Sequence, residues 1–180
     1  PHVNHSQSRF TLAWEAGPGK GVPDLWMGLG QVRDLRQAAV EELIAQREVG
    51  PFLGLHDLLS RASLQTKEIL HLVQCGALDG LGESRAALLA QAREVQQAGS
   101  ALQLAFDFGQ PRVMAESPSQ RMAWEQQLLG QPVSVHPLEA SRPIPDQVPL
   151  CQLSGAAGQR VTTVGARLPG WTGGPGFMID

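Results

Sequence analysis

The stretch KEILHLVQCGALDGLGESRAALLAQA, residues 67–92, decides the fold. Its first part places Ile69, Leu72 and Val73 on one face at helical spacing, and its last part, rich in Ala and Leu, shows a second helical pattern from about Ser84. Between them stands the glycine-rich sequence GALDGLG, residues 76–82. The stretch therefore predicts two helices joined by a short glycine-rich turn.

This turn has two interpretations. Glycines let a backbone approach a phosphate closely with its amides pointing outward, and the next helix adds its positive N-terminal end. Gly76, Gly80 and Gly82 fit that description, and Arg85 follows at the start of the next helix. Such a unit would grip DNA backbone without reading base sequence. The alternative is a plain helical hairpin whose glycines end the first helix.

Helical patterns extend this unit to about residues 31–99. Asp34 is predicted to cap the first helix, and the pair Gly50-Pro51 is predicted to end it. A short helix over about residues 55–60 follows. The chain is thus predicted to be mainly α.

Three basic residues of this region are further candidates for phosphate contacts: Arg33, Arg36 and Lys67. Together with Gly80, Gly82 and Arg85 they form the predicted DNA-binding set. Each is equally plausible as an ordinary solvated surface charge.

The flanking regions differ in character. Residues 1–30 are β-like, and residues 10–14 and 25–29 could pair as a hairpin. Residues 100–158 form a connector with one helix, which Ser117 would cap, and a proline-rich linker. The sequence from Val161 to Leu168 predicts a strand, with a returning strand at the end of the chain.

Composition limits the function classes. The 180 residues carry a formal net charge of −3, so no basic surplus indicates a strong nucleic-acid binder. Cys75 and Cys151 are far apart, which argues against a disulfide framework and suits a reducing, cytoplasmic location. No apolar run approaches the roughly 18 residues of a spanning helix, so no membrane is expected. The first residues resemble neither a signal peptide nor an initiator, as in a segment of a longer chain.

No catalytic set stands out in the sequence. His71 and Cys75 share a helical face, but two ligands do not make a zinc site, and a buried Cys beside a hydrogen-bonded His is the preferred interpretation. Paired carboxylates and Ser/His/Asp sets are also not evident. We therefore expect a non-catalytic chain with no cofactor and no metal site.

Several motifs, taken in order, resemble the tandem helix-hairpin-helix region of bacterial C-family DNA polymerases, a family that includes the DNA polymerase III alpha subunit and its error-prone relatives. No single motif is specific, but their order and spacing are. They are Gly28–Arg33, Gln74–Gly82, Arg85–Leu89, Trp124–Gly130, Val133–Leu138 and Arg160–Gly165.

The resemblance implies a domain order and a role. Residues 1–30 would end the fingers region, 31–99 would be the tandem helix-hairpin-helix domain, 100–158 the connector and 159–180 the truncated start of an OB-fold domain. The segment would hold double-stranded DNA behind the active site and contact other polymerase domains and replisome subunits. The parent would be a DNA-directed DNA polymerase with its Mg²⁺-binding acids outside this chain.

Two departures from the family pattern matter. Residues 33–36, Arg-Asp-Leu-Arg, stand where a Gly-x-Gly turn is usual, and Val135 replaces a glycine. The first change weakens the expectation that this turn approaches DNA closely. A β-branched residue at the second position puts the local backbone in doubt, because it tolerates a positive φ badly.

A second functional segment is expected in the connector. In the resembled family a short motif here binds the sliding clamp, and its form is a Gln followed by spaced large apolar residues. The corresponding residues are Gln103, Leu104, Phe106 and Phe108. Alternatively, these apolar side chains only attach the connector to the helices. A competing function is accordingly a protein interaction scaffold whose one functional site is residues 103–108.

Overall fold

The structure, a computed structural model, describes residues 1–13, 22–100, 115–139 and 144–165, and for residues 95–100 the backbone alone. It is mainly helical, as predicted. The short strands β1 (Thr11–Ala13) and β2 (Asp24–Trp26) pair antiparallel with Leu12 opposite Leu25. This confirms the predicted hairpin that precedes the helices. In the described part of the chain, five α-helices follow: α1 Gln37–Val49, α2 Leu55–Arg61, α3 Thr66–Gln74, α4 Arg85–Ser100 and α5 Pro118–Leu129.

The helices share one apolar core. The predicted face of α3 is buried, with Leu72 and Val73 fully inaccessible, because residues three and four apart lie on the same side of a helix. Leu43 of α1, Leu58 of α2 and Leu88 of α4 meet them in that core. α3 packs against both α4 and α5, so the turn between α3 and α4 lies at one end of a three-helix cluster.

The start of α1 differs from the prediction. The helix begins at Gln37 and Arg36 is its N-cap, so the expectation that Asp34 caps it was wrong. Asp34 instead lies in a left-handed conformation with φ of 59°. The reason is a contact that is distant in sequence: the Glu68 carboxylate of α3 accepts the Arg36 amide at 3.1 Å and caps α1 in its place.

The N-terminal residues pack on the helices. Val3 is completely buried in the helical core, and its amide donates to the Ala77 carbonyl at 2.9 Å. The Asn4 side chain donates to the Phe52 carbonyl at 2.9 Å and accepts the Phe52 amide at 2.8 Å. Residues 1–9 therefore share a core with the helices, although a domain boundary near residue 30 stays a prediction.

The region after α5 is mostly irregular, with a 3₁₀ helix at Leu150–Ala156. Of the strand predicted from Val161, the described part contains a single parallel bridge between Thr162 and Gln147. The remainder, from residue 166, lies outside the described residues, and the OB-fold start stays a prediction. Among the helices described, none combines the length and apolarity needed to span a bilayer.

Candidate nucleic-acid interface

Gly76 ends α3. It has φ of +77°, its amide donates to the Val73 carbonyl at 3.1 Å, and the next amide, of Ala77, donates to Leu72 at 2.9 Å. This pair of bonds is the Schellman arrangement of a helix C-terminus. For Gly76 the interpretation as a helix-ending glycine is therefore correct.

Gly80 and Gly82 lie further along the turn and are exposed. Both have positive φ, +84° and +92°. Among the described residues, the amides of Gly80, Gly82, Glu83 and Ser84 have no acceptor. These four residues, 80–84 without Leu81, define the α3–α4 turn surface.

The α3–α4 turn surface leads directly into α4. The hydroxyl of Ser84 accepts the Ala87 amide at 3.2 Å, so Ser84 caps the helix. A helix N-terminus carries a partial positive charge. Free amides and a helix start thus face the same solvent region, which is the chemistry an anion such as a phosphate requires.

Arg85 does not lie where the sequence placed it. Its side chain is 4% exposed, and it donates to Asp79 at 2.6 Å and to Glu125 at 3.2 Å. It also donates to the Gln74 carbonyl at 3.3 Å. A buried guanidinium with three acceptors inside the protein cannot also meet a phosphate at the surface, so its assignment as a phosphate neighbour is corrected.

The space for Arg85 is provided by Gly76. A Cβ atom at position 76 would lie 2.2 Å from Arg85 Nη2 and 2.8 Å from Asp79 Oδ2. This glycine is therefore required twice, once for its left-handed backbone and once for the close approach of the Arg85–Asp79 pair.

Glu125 of α5 completes this buried network. Its carboxylate, 1% exposed, accepts the amides of Val133 at 2.7 Å and Ser134 at 2.8 Å, and also the Ser134 hydroxyl. Burial alone would raise the pKa of Glu125, but the bonds from Ser134, Val133 and Arg85 outweigh it and the pKa is lowered. Glu125 is therefore a buried anion.

The segment before α1 forms a second turn, residues 33–36. The side chain of Arg33 is exposed and has no partner among the described residues, whereas its amide donates to the Leu128 carbonyl of α5 at 2.9 Å. Its own carbonyl accepts the His71 Nδ1 proton at 2.8 Å. Arg33 is thus anchored by its backbone from two helices, which leaves its guanidinium toward solvent.

The other two predicted cations have acidic partners. Lys67 Nζ lies 2.7 Å from Asp34 Oδ2 in an exposed pair. Arg36 binds Glu68 in bidentate fashion, with Nε and Nη2 each 2.8 Å from a carboxylate oxygen. Their charges are locally compensated, so of the predicted basic residues Arg33 alone keeps its charge without a described partner.

Glu68 is the central acceptor of that second turn. Its side chain is 1% exposed, and besides Arg36 it accepts the Gln65 amide at 2.7 Å, as part of a capping box at the start of α3. Arg36 is the main cause that lowers the pKa of Glu68 to about 2. One carboxylate therefore caps both α1 and α3.

An aromatic group lies beside the α3–α4 turn. His2 Nε2 donates to the Asp79 carbonyl at 2.8 Å, and His2 Nδ1 accepts the Asn4 amide at 3.1 Å, which defines the neutral tautomer. Burial is the main cause that lowers the pKa of His2. The His5 ring stacks on Trp26 with centroids 4.8 Å apart. These residues support the turn from the N-terminal side.

Two further sequence predictions concern other sites. Cys75 is buried and His71 is hydrogen-bonded, which is the interpretation that the sequence analysis prefers to a zinc site. The described residues contain no group of three or more metal-ligating side chains. The predicted clamp-binding residues 103–108 lie outside the described residues.

Among the described residues, Glu68 and Glu125 are the two acidic residues with fully buried side chains, and the sequence patterns assign neither of them a role. Glu68 had one local signal, since it stands three residues after Gln65 at capping-box spacing. Glu125 was seen within the family-like block from Trp124 to Gly130, but no local pattern connects it with Arg85.

Comparison with known families identifies the helical region of the chain. A family model described as a helix-hairpin-helix motif matches residues 1–88. The matched range begins before the helices, in agreement with the packing of Val3 in the helical core.

Curated relatives include bacterial DNA polymerases. An error-prone DNA polymerase of Ralstonia nicotianae is 30% identical over 144 residues, which cover 78% of this chain and 13% of the relative. A DNA polymerase III subunit alpha of Helicobacter pylori is 31% identical over 105 residues, 56% of this chain and 9% of the relative. The DNA polymerase III subunit alpha of Xylella fastidiosa is 25% identical over 183 residues, which cover 89% of this chain and 15% of the relative. The chain thus spans only a small part of these relatives.

Proposed function

Because the chain belongs to the helix-hairpin-helix region of the bacterial C-family DNA polymerases, we propose that it holds duplex DNA by the sugar-phosphate backbone, without sequence specificity. The α3–α4 turn surface is the main contact, and Arg33 on the second turn is the accompanying charge.

The observation that carries this proposal is the set of free amides at Gly80, Gly82, Glu83 and Ser84. Exposed amides at the start of a helix are built to receive an anion, and two glycines without side chains leave room for it. Of the two side chains on this surface, Ser84 caps α4 and the Glu83 carboxylate accepts a hydrogen bond from Gln91, so contact with phosphate through the backbone amides is favoured over base readout.

The charge balance around the turn predicts modest affinity. Glu83 is an acidic residue on the turn surface itself, although its carboxylate accepts a hydrogen bond from Gln91 of α4. Lys67 and Arg36 are paired with acids. Binding would therefore depend on a few amides and one free guanidinium, and would add to contacts made elsewhere in a larger protein.

In that larger protein the segment would accompany DNA synthesis. We propose that the parent is a DNA-directed DNA polymerase in the cytoplasm, with catalytic acids and Mg²⁺ outside this chain, and that this segment is itself non-catalytic. Other polymerase domains and replisome subunits would be its protein partners.

The test is the salt dependence of duplex binding by the 180-residue chain. With about one or two phosphates neutralised, log K should fall with log salt with a slope of about −1 to −2, equally for unrelated sequences. Arg33→Gln should reduce the slope by about 1, whereas Arg93→Gln, an exposed arginine of α4, should not. Absence of duplex binding at low salt would contradict the proposal.

The sliding-clamp contact is a second, separate proposal for residues 103–108. Its support is the sequence: Gln103 followed by large apolar residues ending in Phe106 and Phe108. In a clamp pull-down, Phe106→Ala combined with Phe108→Ala should abolish retention, because aromatic anchors dominate such contacts. Retention equal to that of the unmodified chain would exclude the motif. If clamp binding occurs without duplex binding, the chain is an interaction scaffold.

A further inference from the structure

Helix α5 contacts both turns of the proposed interface. At its C-terminal end, the Leu128 carbonyl accepts the Arg33 amide at 2.9 Å. One turn earlier, Glu125 accepts Arg85 Nη1 at 3.2 Å, and Arg85 holds Asp79 of the α3–α4 turn. This helix of the connector thus reaches the second turn through a direct hydrogen bond to Arg33 and the α3–α4 turn through Arg85.

We propose that α5 acts as a brace, that is, a helix that fixes the position of the two turns relative to each other. Glu125 is its positioning residue and acts through Arg85. This inference rests on the proposed function, since the relative position of the turns matters only if both turns meet one duplex. In this arrangement Glu125 touches no DNA.

The position of Glu125 is fixed by the residues that follow α5. One carboxylate oxygen, Oε2, accepts the amides of Val133 and Ser134 at 2.7 and 2.8 Å, and the other, Oε1, faces Arg85 and the Ser134 hydroxyl. Both oxygens are therefore occupied, and the carboxylate cannot rotate without breaking several bonds at once.

The position of Arg85 in turn determines that of Asp79. Arg85 Nε lies 2.9 Å from Asp79 Oδ1, and Nη2 lies 2.6 Å from Oδ2, a two-point contact that fixes direction as well as distance. Asp79 is the residue immediately before Gly80. Without Glu125, Arg85 would lose one of its acceptors and could shift in the tight space beside Gly76. Asp79 would shift with it, and so would the amides of the α3–α4 turn surface that follow Asp79.

A phosphate contact and a positioning role make different predictions for Arg85. If Arg85 met a phosphate, Arg85→Gln would reduce the salt slope of duplex binding by about 1. If it only transmits the position of Glu125, the slope stays the same while the affinity falls. Arg85→Lys should not restore the affinity, because an ammonium group cannot reproduce the two-point contact.

The main experiment compares Glu125→Gln with the unmodified 180-residue chain. Affinity for duplex DNA should fall about two- to thirty-fold, the range for a change that acts through an intervening network, with an unchanged salt slope. The amide NMR signals of Arg33, Gly80 and Gly82 should move in the free protein, which does not depend on DNA binding. Glu116→Gln is the matched control, because Glu116 pairs with Arg121 at 2.7 Å and contacts neither turn.

The outcomes separate the two proposals. Folded Glu125→Gln with unchanged affinity and unmoved turn signals would overturn the brace. If the unmodified chain does not bind duplex DNA but the turn signals still move, the coupling stands and the proposed function fails. If Glu125→Gln does not fold, Ser134→Ala, which removes one hydrogen bond to Glu125, takes its place in the experiment. It should shift the same signals in the same direction by a smaller amount, and no shift would count against the brace.

Discussion

At the scale of single residues, Glu68 shows how one buried carboxylate can organise two helices. It accepts the backbone amides of Arg36 and Gln65, which begin α1 and α3, and it neutralises the Arg36 guanidinium. Each of the two amides would otherwise lack a partner at a helix start. The acid is therefore needed in its ionised form.

Glu68 should make stability depend on pH. Its pKa of about 2 lies below the ordinary 4.5, so its contribution is complete above pH 4.5 and is lost as the pH falls toward 2. Glu68→Gln should lower the free energy of unfolding by about 2 kcal/mol at neutral pH, the value of hydrogen bonds to a charged group. In urea titrations this difference should shrink steadily below pH 4.5. A difference that is constant from pH 6 to 2.5 would contradict the ionised role, and Glu48→Gln on the exposed side of α1 is the control.

A second residue-scale prediction compares Gly76 and Gly82, two glycines of the α3–α4 turn with different surroundings. Gly76→Ala must accept both a left-handed backbone and a contact with Arg85, and should cost about 3 kcal/mol or more. Gly82→Ala has an equally left-handed backbone but open space, and should cost only about 1–2 kcal/mol. Thermal unfolding of both variants measures the difference. Equal losses would show that Arg85 moves aside freely.

At the scale of elements, the corner between α1 and α2 depends on Arg61. Its guanidinium donates to the carbonyls of Gln46 and Gly50 at the end of α1, and it lies 4.6 Å from the Phe52 ring centroid. It is also paired with Asp57 of its own helix at 3.2 Å. One side chain from α2 thus satisfies the open end of α1.

The corner should be sensitive to Arg61. Arg61→Ala should lower the free energy of unfolding by about 2–3 kcal/mol, because the carbonyls at the end of α1 lose their donor and the cation–π contact is lost. Arg61→Lys should recover less than half, since one ammonium group cannot reach all these acceptors. Chemical denaturation measures both, with the exposed Arg93→Ala expected within about 0.5 kcal/mol of the unmodified chain. Full recovery by lysine would show that charge alone matters.

Elements also show what sequence reasoning could and could not reach. The buried face of α3 and the helix-ending role of Gly76 depend on neighbours within a few residues. The hairpin of β1 and β2 pairs residues at most 15 positions apart, so local patterns predict all three features. Arg85 shows the limit. Its position beside a glycine-rich turn suggests a phosphate ligand, but Arg85 pairs with Asp79, six residues away, and with Glu125, 40 residues away. The Arg36–Glu68 contact spans 32 residues and hid the true cap of α1 in the same way.

At the scale of the whole molecule, the first residues of the chain pack into the same core as the helices. Val3 fills the helical core, Asn4 holds the backbone of Phe52, and the carbonyls of Val3 and Ser6 accept Arg47 of α1. A division of the chain at residue 30 would cut through this contact region.

Deletion of residues 1–9 tests this shared packing. The shortened chain should lose about 3–5 kcal/mol, from the burial of Val3 at roughly 2 kcal/mol and the hydrogen bonds of Asn4 at about 1 kcal/mol each. Urea denaturation followed by the circular dichroism of the helices measures the unfolding of the part that remains. A midpoint equal to that of the full chain would show that residues 1–9 are an independent attachment.

In the proposed contact, the two glycines of the α3–α4 turn surface, which carry no side chain, have a consequence for movement along DNA. A protein that held a nucleic acid by wedging groups between its bases would have to withdraw them before it could advance. In the proposed contact, each displacement along the strand would exchange one phosphate for an equal one, because every nucleotide step presents the same anion to the glycine amides. A contact of this kind would hold the duplex and still allow it to slide.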